Sequence, residues 1–581
     1  MADRLKTRNG LMMLGGAAIG LVLIALLSLW AMYRNTDGTY MVAAANPYAS
    51  EAGAEILKQG GSAVDAAIAI QAVLGLVEPE SSGMAGGAFM LHWDRDTSKL
   101  DAYDGRETAP AGSTPDMFLD ASGQPMDYIH AIVSGRSVGA PGVVKMLWLA
   151  HREHGKLAWD KVFEPAIRLA TDGFAVSPKL AAAIAKDPAL AHIPVSQDYF
   201  FTRDVSGALT PLAAGAILKN PAYAETLRQV AAKGPDGFYK GPVAQAIVDM
   251  VAQAPNLPGT LTLADLDAYE ARKREPLCGP YREVKVCTMP PPTSGGVTSL
   301  QILGILENFD IGEIVPMSLE AVHFIAEAEK LAYADRDKYV GDPDRVSVPV
   351  AAMLDPAYLK SRAGQIDASL SMGKARAGKL PQKQGANYGV NGDISRPSTS
   401  HFAIDDGEGN VVSMTTSVEA PFGSHLMAAG MILNNQLTDF SFSPVENGKP
   451  VANAVAPGKR PRSSMDPTII FDADGNFKAA LGSPGGSRII GYVTQSIIAL
   501  IDWKMPMQEA LNLPRFLDRN GDLEIEAGTD LEKLTPQLKQ LGHAVKVTPM
   551  NSGLHGIEVT ADGLRGGADP RREGKVVTGI R

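Results

Sequence analysis

The chain has 581 residues, with 54 Lys and Arg against 64 Asp and Glu for a formal net charge of −10; 45% of it is hydrophobic and 20% charged. That composition is globular and long enough for two or more domains or one large two-part fold, and it excludes a disordered or collagen-like chain. The acidic excess without a dense Lys/Arg block excludes nucleic acid as the main partner, and two cysteines exclude a disulfide scaffold or a four-cysteine zinc site. Neither His-Glu-x-x-His nor Gly-x-x-x-x-Gly-Lys-Ser/Thr occurs, so a zincin or a P-loop nucleotidase is not expected.

Residues 11–32 carry no charge. At about 1.5 Å per residue this run spans about 33 Å as a helix, the hydrocarbon thickness of a bilayer. Arg4, Lys6 and Arg8 precede it, which predicts a single-pass inner-membrane anchor with residues 1–10 cytoplasmic and the rest periplasmic. The alternative is a cleaved signal peptide with release to the periplasm. Against it stand a run longer than the usual apolar core of about 7–15 residues and the lack of an Ala-x-Ala site before Tyr33.

Residues 49–78 read as two helices broken at Gly60-Gly61, with Ser50 as the N-cap. The stretch 82–104 reads as a glycine-rich turn feeding strands. Helices follow at 142–154, 160–172, 179–186, 222–233 and 242–253. Gly279-Pro280-Tyr281 reads as a turn between strands at 275–278 and 283–287. Cys278 and Cys287 then face each other, an arrangement compatible with a disulfide and equally with two free buried thiols. A rigid turn at 289–297 precedes a helix at 298–307, and 318–339 forms the longest amphipathic helix. The polar stretch 360–397 reads as a flexible surface linker, the main internal boundary. Beyond it, β-type runs at 401–404 and 411–417 flank the turn sequence 405–410. Strands recur at 430–434, 468–472 and 478–482, helices at 488–502 and 507–512, and short strands with turns over 523–581.

Chemistry concentrates around the first hairpin after the linker. If Ile404 faces Val411, Thr399 faces Thr416; a one-residue slip sets Thr399 opposite Ser417. A threonine at the junction of a linker and a strand suits an N-terminal nucleophile. Cleavage before Thr399 frees an α-amine of pKa about 7.7–8.0, able to take the proton of its own hydroxyl near neutrality. Ser483-Pro484-Gly485-Gly486-Ser487-Arg488 precedes an apolar helix, where glycine N–H groups can face an anion. Arg106, the pair Ser463-Ser464, Gln436 and Asp439 supply a guanidinium fork, hydroxyls, an amide and a carboxylate.

With these residues in hand, the chain resembles the gamma-glutamyltranspeptidase family of the N-terminal nucleophile hydrolase superfamily over nearly all of 40–581. The strings that carry the resemblance include Gly60-Gly61-Ser62-Ala63-Val64-Asp65-Ala66-Ala67, Asp104-Gly105-Arg106-Glu107, Pro290-Pro291-Pro292-Thr293-Ser294-Gly295-Gly296, Thr399-Ser400-His401, Leu433-Asn434-Asn435-Gln436, Arg462-Ser463-Ser464-Met465 and Gly482-Ser483-Pro484-Gly485-Gly486-Ser487-Arg488. The resemblance implies an α+β fold in four αββα layers. It implies self-cleavage between Ser398 and Thr399 into a large subunit, 33–398, and a small catalytic subunit, 399–581, which remain together as a heterodimer.

By the same resemblance, Thr399 is the nucleophile of both self-cleavage and catalysis, and Ser417 stands where the family carries a supporting threonine. Arg106, Ser463 and Ser464 hold the donor α-carboxylate, Gln436 and Asp439 its α-ammonium, and Gly485 and Gly486 the oxyanion. No metal and no cofactor is implied. The donor is glutathione or another γ-glutamyl compound, and the acceptor is water or an amino-acid or peptide amine. Glu419 stands where well-studied members carry asparagine near the ammonium. The segment 441–453 is shorter than the lid of many bacterial members and lacks a tyrosine. A more open pocket keeps a cephalosporin-acylase-like or poly-γ-glutamate-processing amidase as an alternative. Two further readings compete: an α/β-hydrolase using Ser137 in Gly135-Arg136-Ser137-Val138-Gly139, and a membrane-tethered binding protein without activity.

Overall fold

Alternating apolar residues in two sets of strands build the centre of the molecule. The structure, a computed structural model, describes residues 38–380, 387–392 and 398–581. The expected membrane span at 11–32 lies outside these residues, as do 381–386 and 393–397 of the expected linker. Among the described residues no helix is long and apolar enough to cross a membrane.

An antiparallel seven-stranded sheet runs in the order Lys575–Ile580, Thr39–Ala44, Ser400–Asp405, Val411–Ser417, Gly87–Asp94, Lys99–Asp104, Arg272–Arg274. An antiparallel six-stranded sheet runs Gly563–Ala568, His555–Thr560, Phe477–Gly482, Thr468–Phe471, Val284–Thr288, Leu277–Tyr281. Side chains of period two sort between the faces of the first sheet. Val42, Ala44, Met90, Phe402 and Ile404 face helices Pro47–Lys58, Ala63–Val77 and Val143–His154. Met41, Ala43, Leu91 and Ala403 face Val286, Ile469, Ile470 and Leu481 of the second sheet, whose far side is closed by helices Gly295–Leu306, Leu319–Tyr339 and Ile489–Ile501. The order of layers is therefore helix, sheet, sheet, helix. Strand Ser400–Asp405 is buried throughout, as expected of a strand covered on both faces.

This topology matters for a chain cut before Thr399. Strands Ser400–Asp405 and Val411–Ser417 lie between Thr39–Ala44 and Gly87–Asp94, hydrogen-bonded to both. A cut at that point leaves both pieces in one sheet.

Several sequence expectations are corrected. The first helix starts at Pro47, not near Ser50: Asn46 caps it by accepting from Tyr48 N at 3.0 Å, and proline suits a first helical turn. Ser50 is instead buried inside the helix, donating to the Lys575 carbonyl at 2.8 Å. In the cysteine hairpin, Gly279, Pro280 and Tyr281 belong to the strand, and the turn is Arg282-Glu283, with Tyr281 paired to Val284 and Arg282 at φ +51°. Cys278 then pairs with Cys287, and the two are joined by a disulfide.

The stretch from 360 to 380 is not a loose linker. It begins inside helix Pro356–Ala363 and then packs on the long helix, where Glu327 accepts from Ser371 Oγ and Met372 N and Asp335 accepts from Gly378 N. Its polar residues answer buried acids rather than solvent. The long helix itself is buried on nearly every side, not along one stripe. The C-terminal stretch also holds a short helix, Thr535–Gln540, among its strands.

Candidate functional site

Thr399 stands at the head of strand Ser400–Asp405, and the register settles what it faces. Ser400 pairs with Thr416 and Ile404 with Val412, so the one-residue-slipped alternative applies, and Thr399 falls opposite Ser417. In the uncut chain the Thr399 hydroxyl contacts the Ser398 carbonyl oxygen and lies 3.2 Å from Ser417 Oγ. Ser417 Oγ reaches the same Ser398 carbonyl at 3.1 Å while accepting from Glu419 N at 2.9 Å. A hydroxyl on a carbonyl under attack polarises it and stabilises the oxyanion formed. We expect Ser417→Ala to slow self-cleavage by about 10²-fold, with Ser417→Thr restoring it, as followed by the appearance of two bands on a denaturing gel.

A narrow cleft of about 30 Å³ opens on Thr399, lined by Ser398, Ser417, Glu419, Gln436, Asp439, Ser463, Ser464, Met465, Gly486, Ser487 and Ile489. Gln436 and Asp439 come from a single helical turn, Gln436–Asp439, positioned by Asn434 Oδ1, which accepts from Gln436 N and Gly139 N, both at 3.0 Å. Ser463 and Ser464 are held against the rigid proline turn: Ser463 N donates to the Pro292 carbonyl at 3.1 Å, and Ser464 Oγ accepts from Arg336 at 2.8 Å. No residue between Asp439 and Ser463 lines the cleft among the described residues; the short 441–453 segment stands aside, tied down by Asn453 Nδ2 on the Asp439 carbonyl at 2.7 Å.

Arg106 does not line the cleft but stands directly behind it. Fully buried, it ion-pairs with Asp439 and donates to the carbonyls of Pro461 at 3.1 Å and Arg462 at 3.2 Å. Its remaining nitrogen, Nη1, has no hydrogen bond among the described residues and lies 3.7 Å from Glu107. Burial pushes the Glu107 carboxyl up to about 8, against the pull of Arg106, so at neutrality it is mostly protonated and the guanidinium keeps its charge for another anion.

Gly486 lines the cleft at φ +60°, and Gly485, at φ +140°, lies behind it, where a Cβ would come within 2.8 Å of the Tyr492 ring. Both conformations favour glycine. The turn leads into helix Ile489–Ile501, whose N-terminal end, with its positive partial charge, abuts the cleft.

Four residues to which the sequence assigned no role support the site. Arg572 donates to the Thr399 carbonyl at 2.9 Å. Glu78 accepts from Ser400 Oγ at 2.7 Å, and Lys179 bridges Glu78 at 2.8 Å and Glu80 at 2.5 Å. Burial pushes the Glu78 carboxyl up, but Lys179 and Arg572 outweigh burial and hold it below the ordinary range. Lys179→Met leaves two buried carboxylates without their cation, and we expect it to destabilise the protein by about 3 kcal/mol, read as a lower midpoint in denaturant. The fourth is Tyr128, whose hydroxyl donates to Glu419 at 3.0 Å.

Ser137 is excluded as a nucleophile. It is buried in a single turn, its hydroxyl 2.8 Å from the carbonyls of both Ile132 and Ser134.

A threonine on a central strand of a helix–sheet–sheet–helix sandwich, its hydroxyl on the preceding carbonyl, defines the N-terminal-nucleophile class of hydrolase. The profile of the family described as Gamma-glutamyltranspeptidase matches residues 49–579. Over 545 residues the chain is 39% identical to the glutathione hydrolase proenzyme of Escherichia coli (strain K12), covering 91% of this chain and 90% of that protein. Over 551 residues it is 37% identical to the glutathione hydrolase proenzyme of Bacillus subtilis (strain 168), covering 92% and 91%. The crystal structure of cephalosporin acylase from Bacillus halodurans superposes with a TM-score of 0.78 at 28% identity, covering 93% of this chain and 96% of that one. The chain belongs to the gamma-glutamyltranspeptidase family.

Proposed function

We propose that the chain is a self-cleaving γ-glutamyltransferase and glutathione hydrolase. One observation carries the reading: among the described residues the cleft around Thr399 is lined by no histidine and no lysine, and its carboxylates, Glu419 and Asp439, are bound to Tyr128, Asn435 and Arg106. The base for Thr399 is then its own α-amine, which only chain cleavage supplies.

In the first event Thr399 Oγ1 attacks the Ser398 carbonyl carbon. The hydroxyl proton passes to the peptide nitrogen, which leaves as the Thr399 amine, and water hydrolyses the resulting ester to free the Ser398 carboxylate. Ser398 walls the cleft before that step, so the cut both creates the base and opens the donor pocket. In the second event the donor α-carboxylate lodges against Arg106, Ser463 and Ser464, and its α-ammonium against Asp439, Gln436 and Glu419. The Thr399 amine takes the hydroxyl proton as Oγ1 attacks the γ-carbonyl, the Gly485 and Gly486 N–H groups receive the oxyanion, and the proton passes to the departing amine. Water or an acceptor amine then attacks the γ-glutamyl ester and regenerates Thr399.

The cephalosporin-acylase-like alternative receives support from the Bacillus halodurans neighbour, but the acidic end of this cleft suits a donor bearing an α-ammonium. The binding-protein alternative leaves the Thr399–Ser417 contact without a purpose. The reading extends to location: residues 11–32 anchor the chain in the inner membrane, with 33–398 and 399–581 as periplasmic subunits. The Cys278–Cys287 disulfide is in keeping with such an oxidising space. The test of function is assay with glutathione and a γ-glutamyl anilide. Two chains that release the aniline support the reading, and purified two-chain protein with no release overturns it.

A further inference from the structure

One end of the cleft holds two carboxylates, Glu419 and Asp439, and one guanidinium, Arg106, is buried behind it. The guanidinium belongs to Asp439. Glu419 is 5% exposed, and among the described residues its partners are neutral donors: Tyr128 Oη at 3.0 Å on one oxygen and Asn435 Nδ2 on the other. Its backbone is left-handed at φ +83°, a strained setting for a non-glycine residue; its N–H donates to Ser417 Oγ at 2.9 Å, and it lines the cleft with Ser417 and Thr399. Tyr128 reaches it from a distant part of the chain, braced by Phe442 at 5.8 Å, which itself stacks on Phe118 at 4.7 Å. A buried acid without a cation is costly when charged. Burial, then the charge of Asp439, push the Glu419 carboxyl well above its usual range, against weaker pulls from Asn435, Tyr128 and Arg106.

We propose that Tyr128 and Glu419 form a proton-linked selector for the donor: a cationic α-amino group entering beside the buried Glu419, whose side-chain partners are neutral donors, becomes its counter-ion, and the proton of the acid passes to solvent. The inference rests on the γ-glutamyl reading of the site and deepens it. The exchange balances: Glu419 carboxylic acid plus donor ammonium gives an ion pair and one proton to water. An acyl chain of the same length without the amine, a glutaryl group, gains nothing from this end of the cleft. Tyr128 is a positioning residue here; its hydroxyl favours the charged form of Glu419.

The sign follows from the released proton. Capture of a γ-glutamyl donor strengthens as pH rises towards the value at which Glu419 ionises in the free enzyme, and capture of a glutaryl donor does not. The test measures kcat/KM for γ-glutamyl and glutaryl anilides from pH 5 to 8 on the self-cleaved enzyme. In the wild type we expect the γ-glutamyl preference to grow with pH. In Glu419→Gln we expect the preference to fall about 10- to 100-fold, the loss of one charge-assisted contact, and to become independent of pH. In Tyr128→Phe we expect the rise to persist but move to higher pH, a shift that a purely structural role would not produce. A flat wild-type preference, or a Glu419→Gln enzyme with wild-type preference and slope, overturns the selector while γ-glutamyl turnover leaves the reading of the site intact. If Glu419→Gln does not self-cleave, the wild-type and Tyr128→Phe profiles decide: an unmoved profile in Tyr128→Phe overturns the selector. A self-cleaved wild type that turns over only the glutaryl anilide overturns both.

Discussion

Thr399→Ala is expected to remain a single full-length chain and to release no aniline from a γ-glutamyl anilide, a loss of at least about 10⁴-fold in kcat of the size seen when a covalent nucleophile is removed. Both effects come from one atom. Oγ1 is the group that contacts the Ser398 carbonyl before the cut, and after it the only hydroxyl paired with an α-amine. Loss of activity alone would fit many catalytic residues; its coincidence with loss of splitting is specific to a self-made terminus. Thr399→Ser keeps the oxygen and is expected to split and turn over, more slowly. The fold should survive the alanine change, because Thr399 is held by its backbone: its carbonyl by Arg572, and its neighbour Ser400 by Glu78.

Arg106→Ala is expected to raise KM for γ-glutamyl donors by about 100-fold, the worth of hydrogen bonds to a charged group. The geometry argues for a binding effect. Arg106 makes no contact with Thr399, Ser417 or Ser398, so self-cleavage should proceed, whereas on the proposed reading the donor α-carboxylate loses its guanidinium, whose Nη1 makes no hydrogen bond among the described residues. Part of the penalty is indirect, since Asp439 loses its partner. Lysine should restore little, because an ammonium cannot hold Asp439, two carbonyls and a substrate carboxylate from one fork. An Arg106→Ala enzyme that splits and shows an unchanged KM would remove Arg106 from the donor site.

The sequence reveals the hairpin of the nucleophile because two β-type runs flank a turn rich in Asp, Gly and Asn; the register is open to one residue, and the structure closes it on Ser417. The helices bounded by Gly60-Gly61 and the helix after Gly486 follow from glycine punctuation. Asn46 is hidden as a cap in the sequence because Ser50 and Glu51 imitate one inside the helix. The stretch from 360 to 380 looks like solvated linker because its anchors, Glu327 and Asp335, are buried acids on another element, and hydropathy does not register a hydrogen bond to a remote carboxylate. Within the site, Thr399, Ser463 and the glycine pair sit in recognisable strings. Arg572 and Lys179 belong to none of these strings, and Tyr128 lies 291 residues from Glu419, a contact no local pattern encodes.

The measurement that bears most directly on the central claim is intact-mass analysis of the purified protein together with its turnover of a γ-glutamyl anilide. The account predicts two polypeptides, one ending at Ser398 and one running from Thr399 to Arg581 with a free threonine amine, and activity that appears in step with them. A single unbroken chain that releases the aniline at full rate would contradict it.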